Sequence, residues 1–164
     1  MSRRVLIDCL AFGSEGGSLQ GELEVAALTR LHDSLCDFGG CLTYRIRGAI
    51  GERKRPELRV EVDGDLSLRC QRCLEVLPYR VELRSLLEFV DSDSDLTQEE
   101  LEDDSRDYLP LQKALDVAGL IEDELILALP TVPRHTDCAL PGAGREDLNV
   151  SPFSVLAGLQ GRLQ

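Results

Sequence analysis

At 164 residues the chain has room for one domain, or one domain with an appendage, and for a core of its own. Apolar side chains make up 43% and charged ones 29%, a soluble and globular balance, and no apolar run approaches the roughly 20 residues that span a bilayer. A net charge of −12 and a pI near 4.6 point away from strong, direct binding of bare nucleic acid.

Arg3 and Arg4 open the chain, but Asp8 interrupts the apolar stretch after them, so no signal peptide is expected. Val5 to Ile7 reads as a short strand and residues 13–18 as a turn-rich loop. Leu19, Gly21, Leu23 and Val25 alternate with polar residues, as a strand with one buried face does. Thr29 is placed to cap a short helix through Leu35, with His32 as a surface histidine. Leu42, Tyr44, Ile46, Gly48 and Ile50 share one face of a second strand. After a charged turn, Leu58, Val60, Val62, Gly64, Leu66, Leu68 and Cys70 form an unbroken period-two series, with Gly64 as a place for a bulge or bend. Leu77, Tyr79, Val81 and Leu83 resume the alternation, and Leu87 and Phe89 extend it.

Residues 91–107 hold nine acids against Arg106, a net of −8 within the chain's −12. Such a block is expected to be a solvated, self-repelling and flexible loop, with docking on a basic partner as its functional alternative. Tyr108 to Leu111 suits a short extended piece. Asp116 then caps a helical stripe of Val117, Leu120, Ile121, Leu125 and Ala128, which Pro130 ends. Ser151 and Pro152 begin a short C-terminal helix over 151–160. The whole predicts a single α+β domain over residues 1–164: an antiparallel sheet, a helix packed on its apolar face, an acidic loop and a short C-terminal helix.

Without a leader the protein is expected in the cytoplasm. There Cys9, Cys36, Cys41, Cys70, Cys73 and Cys138 remain free thiols or metal ligands. Two segments 61 residues apart carry the metal-binding signal: Cys70-Gln71-Arg72-Cys73, and His135-Thr136-Asp137-Cys138. Closed on one point, Cys70, Cys73, His135 and Cys138 would offer the four soft ligands of a tetrahedral zinc site. The alternative is that they are small, half-buried packing residues. Which holds depends on the direction in which the helix after Val117 crosses the sheet.

Other chemistry finds little support. A redox Cys-x-x-Cys sits at a helix N-terminus, whereas this one has strand-like flanks and Pro78 shortly after. Glu122, Asp123 and Glu124 cluster where acids favour a helix dipole. No nucleotide-binding glycine loop is present, and nothing orients a Cys–His pair as a nucleophile, so neither an enzyme nor a small-molecule substrate is expected.

Ten of the 18 basic residues lie between Arg45 and Arg84. Alternation places Arg45, Arg47, Arg59, Arg69, Arg80 and Arg84 on the sheet's polar face with Glu61, Asp63, Asp65, Glu82 and Glu88. Cross-strand ion pairs account for them. Tyr44, Tyr79 and Phe89 belong to the opposite face, so the polar one lacks rings for base stacking.

Three segments in order carry a family resemblance. Leu68-Arg69-Cys70-Gln71-Arg72-Cys73-Leu74-Glu75 resembles the Cys-x-Arg-Cys signature of the YceD family, the large ribosomal RNA subunit accumulation proteins. Residues 121–130 (IEDELILALP), followed by Val132, Pro133 and His135, look like that family's second signature. Ser151-Pro152-Phe153 is similar to its C-terminal Asn-Pro-Phe, with Ser151 in the place of Asn. The resemblance covers about residues 18–160. It implies a bacterial, cytoplasmic, non-enzymatic factor for synthesis, processing or stability of large-subunit (23S) rRNA, touching that rRNA directly or through a ribosomal protein. It brings no catalytic residues. A zinc-stabilised protein-interaction module unrelated to ribosomes is the other reading.

Overall fold

In a computed structural model, which describes residues 4–92 and 96–141, the alternating segments pair into one large sheet. In chain order the elements are β1 (Leu6–Ile7), α1 (Cys9–Ser14), β2 (Ser18–Glu24), two 3-10 turns (Val25–Ala27 and Thr29–Ser34) and β3 (Leu35–Asp37). Then come β4 (Cys41–Ile50), β5 (Pro56–Arg69), β6 (Val76–Val90), α2 (Gln98–Leu101), β7 (Asp107–Pro110), β8 (Leu115–Asp116) and α3 (Val117–Ala128). The main sheet runs β2-β4-β5-β6-β7, and β3 pairs with β5 beyond the end of β4. β1 and β8 form a separate antiparallel pair.

The register follows from the hydrophobic period. Ile46 pairs with Val60, Tyr44 with Val62, and Val62 with Leu83, which keeps one face apolar across three strands. α3 packs on β6, and its Val117, Leu120, Ile121 and Leu125 join Leu58, Val60, Val62, Leu83 and Leu87 in the core. The fold is therefore α+β, with the expected helix on the apolar face.

Gly64 lies where β5 exchanges one partner for another. β4 pairs with β5 up to Asp63, and β3 takes over at Ser67. A Cβ on Gly64 would stand 2.4 Å from Leu42 Cδ2 and 3.2 Å from Leu42 Cα, so close approach requires the glycine. The register irregularity itself is in β3, between Leu35 and Asp37.

Several expectations are corrected. Residues 9–14 form a helix, which takes in the first two positions of the loop expected over 13–18, with the Asp8 carboxylate accepting from the Ala11 N–H at 3.0 Å. Thr29 makes no capping bond to a helix; the turn is 3-10, and Glu122 on α3 accepts the Arg30 N–H at 2.7 Å. A carboxylate 92 residues away thus satisfies one of the N–H groups left without a partner at the start of the turn. The sheet is mixed, not purely antiparallel, because β7 joins β6 in parallel over Leu87–Val90.

That parallel strand changes the acidic segment. By apolar content, residues 91–107 have nothing to pack, yet α2 carries a complete capping box between Thr97 and Glu100, and Glu100 is buried. Arg53 Nε and Arg55 Nη1 approach Glu100 at 3.1 and 2.9 Å. Arg53, Arg55 and Arg106 converge on Glu88, at 3.4, 3.2 and 2.9 Å. Packing here runs through paired charge rather than through Leu96 and Leu101, so the 97–107 part is built onto the sheet end. The expected helix at 151–160 lies outside the described residues.

Candidate metal centre

The cluster is built where β5 ends. Period two turns Cys70 towards the apolar side with Leu66 and Leu68, and all three are buried. The chain then reverses in a tight knuckle. The Leu74 N–H donates to the Cys70 carbonyl at 2.9 Å, and the Cys70 N–H to the Glu75 carbonyl at 3.0 Å. Leu74 closes this turn at φ +66°, a left-handed conformation that suits glycine and strains leucine. Cys73 sits inside the turn, and β6 departs at Val76.

The second half arrives from α3. The helix ends at Leu129, whose backbone is extended, and Pro130 prevents its continuation. The following segment runs to the knuckle, where the Gln71 N–H donates to the Pro133 carbonyl at 2.8 Å. This contact brings His135 and Cys138 against Cys70 and Cys73. The four ligand atoms all lie within 4.8 Å of one another. Cys70 Sγ and Cys138 Sγ are 3.8 Å apart, and Cys73 Sγ and His135 Nδ1 are 3.3 Å apart. All four sequence candidates therefore meet, and the helix direction that sequence left open is the converging one.

The ring of His135 is oriented by its other nitrogen. Nε2 lies 3.0 Å from the Val76 carbonyl, an acceptor that only an N–H can satisfy. That contact places the proton on Nε2 and leaves the Nδ1 lone pair facing the thiols. Around Cys70, burial pushes the thiol up, but the backbone N–H groups of Cys73, His135 and Arg72 and the Cys73 side chain outweigh it. Together they bring the thiol down to about 5. Cys138 is shifted the other way, first by burial and then by its two sulfur neighbours. Thiolates held as close together as these sulfurs would need a cation to offset their charge.

The other cysteines and His32 stand apart from this cluster. Cys9 lies buried at the start of α1, its thiol raised by burial. His32 stacks on Phe38 with ring centroids 4.2 Å apart and contacts the Ala26 carbonyl through Nε2 at 3.2 Å. Sequence pattern did not single out the carbonyls of Val76 and Pro133 or the left-handed Leu74; backbone acceptors and φ angles leave no side-chain signature.

A family model described as large ribosomal RNA subunit accumulation protein YceD matches residues 58–160, a stretch that includes both halves of the cluster. The chain is also 31% identical over 147 residues to the large ribosomal RNA subunit accumulation protein YceD of Haemophilus influenzae, covering 81% of this chain and 82% of that protein. The chain belongs to the YceD family. No solved structure matches it.

The arginine-bearing face of this YceD sheet is largely neutralised. Arg45 and Arg47 stand 3.8 and 3.9 Å from Glu61, Arg80 is 3.1 Å from Asp65, and Arg84 is 2.8 Å from Asp63. Arg84 Nη2 donates to both Asp63 oxygens, at 2.8 and 3.0 Å. Among the described residues, no helix is long and apolar enough to cross a membrane.

Proposed function

We propose that this protein supports accumulation of large-subunit rRNA as a non-enzymatic, cytoplasmic factor, and that it works through a basic ribosomal protein rather than by gripping bare RNA. One observation carries the first part: the YceD match over residues 58–160, together with a relative named for large ribosomal RNA subunit accumulation that aligns over 82% of its length. The second part is supported by charge. Phosphate binding draws on unpaired Lys and Arg. Here Arg45, Arg47, Arg80 and Arg84 on the sheet face carboxylates, and the chain as a whole carries −12. Such a surface attracts cationic protein segments and repels a polyanion.

Deleting the gene should lower mature large-subunit rRNA relative to small-subunit rRNA. An unchanged ratio, in cells shown to express the protein, sinks the rRNA reading and leaves an interaction module unrelated to ribosomes. Purified protein should bind bare large-subunit rRNA weakly at about 150 mM salt, inside the range over which phosphate contacts are strongly screened. Sub-micromolar binding there overturns the protein-mediated route and leaves the accumulation role standing.

A further inference from the structure

We propose that Cys70, Cys73, His135 and Cys138 bind one zinc ion in a closed Cys3His site, which staples the segment after α3 to the turn between β5 and β6. The geometry already approximates the ligand shell. With Zn–S bonds of about 2.3 Å and a Zn–N bond of about 2.0–2.1 Å, a tetrahedron has S···S edges near 3.8 Å and S···N edges near 3.6 Å. Cys70 and Cys138 stand at 3.8 Å, and Cys73 and His135 slightly closer, at 3.3 Å. No pair in the set exceeds 4.8 Å, which leaves space for one ion and not for a polynuclear cluster.

The surroundings favour a metal over simple packing. An apolar explanation needs no particular tautomer, yet the Val76 carbonyl holds the His135 ring with Nδ1 facing inward. Three thiolates and an imidazole select a soft or borderline tetrahedral ion, and zinc is the common one for this set. Because the protein fills all four positions, none remains for water or substrate, so the role is structural rather than hydrolytic. Few other ties hold residues 130–138: the segment is mostly exposed, and the Gln71–Pro133 and His135–Val76 bonds are its described polar links to the sheet. The ion would therefore fix the path of the chain after α3.

Metal analysis of full-length protein purified without chelators should find one zinc per chain. A strong chelator should remove it and lower the melting temperature. Cysteine alkylation followed by mapping gives a second readout. Exposed Cys41 should react at once, while Cys70, Cys73 and Cys138 react only after chelation. Cobalt(II) in place of zinc should show thiolate-to-metal absorption and tetrahedral ligand-field bands. Cys41→Ser should preserve those bands, and Cys138→Ser should weaken or shift them. Should Cys138→Ser fail to fold, the wild-type cobalt spectrum and alkylation map still decide. The proposal is overturned by protein without metal that takes up neither zinc nor cobalt, by a melting temperature indifferent to chelator, or by a Cys70–Cys138 disulfide in protein prepared without oxidant.

Discussion

Glu88→Gln tests whether the acidic segment is held by charge. The substitution keeps the shape of the side chain and removes its charge from a position only 1% exposed. Glu88 Oε2 takes Arg106 at 2.9 Å and Arg53 at 3.4 Å, while Oε1 takes Arg55 at 3.2 Å. Removing one partner of a fully buried ion pair costs about 3–5 kcal/mol. Two features lower that figure here. The three arginines are 22–37% exposed, so water can partly solvate them, and Arg53 and Arg55 keep Glu100 while Arg106 keeps Asp103. A loss of about 2–3 kcal/mol is therefore expected. For a chain of this length that lowers the melting temperature by about 4–12 °C. Urea denaturation and calorimetry of the two proteins measure it. A double-mutant cycle with Arg106→Gln should show positive coupling, since the 2.9 Å contact is lost only once. A loss below about 0.5 kcal/mol, the range of ordinary surface changes, would refute the idea that Glu88 organises this end of the sheet.

Three further substitutions probe other parts. Leu74→Gly should raise the denaturation midpoint by about 0.5–1 kcal/mol in stability, because relief of the left-handed strain exceeds the added chain entropy; a loss would mean that this 60% exposed side chain packs after all. Gly48→Ala should cost about 1–3 kcal/mol, since the new Cβ would lie 2.3 Å from the Phe12 carbonyl oxygen and must push α1 off β4; a neutral result in thermal melts would show that α1 is loosely seated. Burial raises the Glu124 carboxyl, so its ionised form costs stability above the ordinary carboxylate range, and the cost disappears as pH falls through the raised folded-state value. Glu124→Gln should accordingly stabilise at neutral pH, and melts repeated at falling pH should show the advantage shrinking; an advantage that grows on acidification would reverse the assigned sign.

What could be read in advance was what repeats locally. β4, β5 and β6 follow from period-two alternation, and α3 follows from its stripe between Asp116 and Pro130. Chain pairings across long separations were not readable. The strand at Val5 to Ile7 was legible, but its partner at residues 115–116 was not. Glu88 looks like one more residue of a polar face until β7 arrives beside it and α2 covers it. Helix α1 is a single short element containing Gly13, which no periodicity marks out. The four candidate ligands were readable as residue types at suitable spacing, but their meeting rests on the course of α3 and on the Gln71–Pro133 bond.

The pairing of β1 with β8 also has a meaning in time. Leu6 faces Asp116, Ile7 faces Leu115, and the Val117 N–H donates to the Val5 carbonyl. During synthesis the amino-terminal strand emerges first, yet its partner is made more than a hundred residues later. The hairpins of the central sheet have their partners close behind them and can form as they appear. The opening residues must wait, unpaired, until the stretch leading into α3 has been translated. Their docking is thus a late event that reports on completion of the sheet, and a fusion placed ahead of Val5 would burden that step more than any before it.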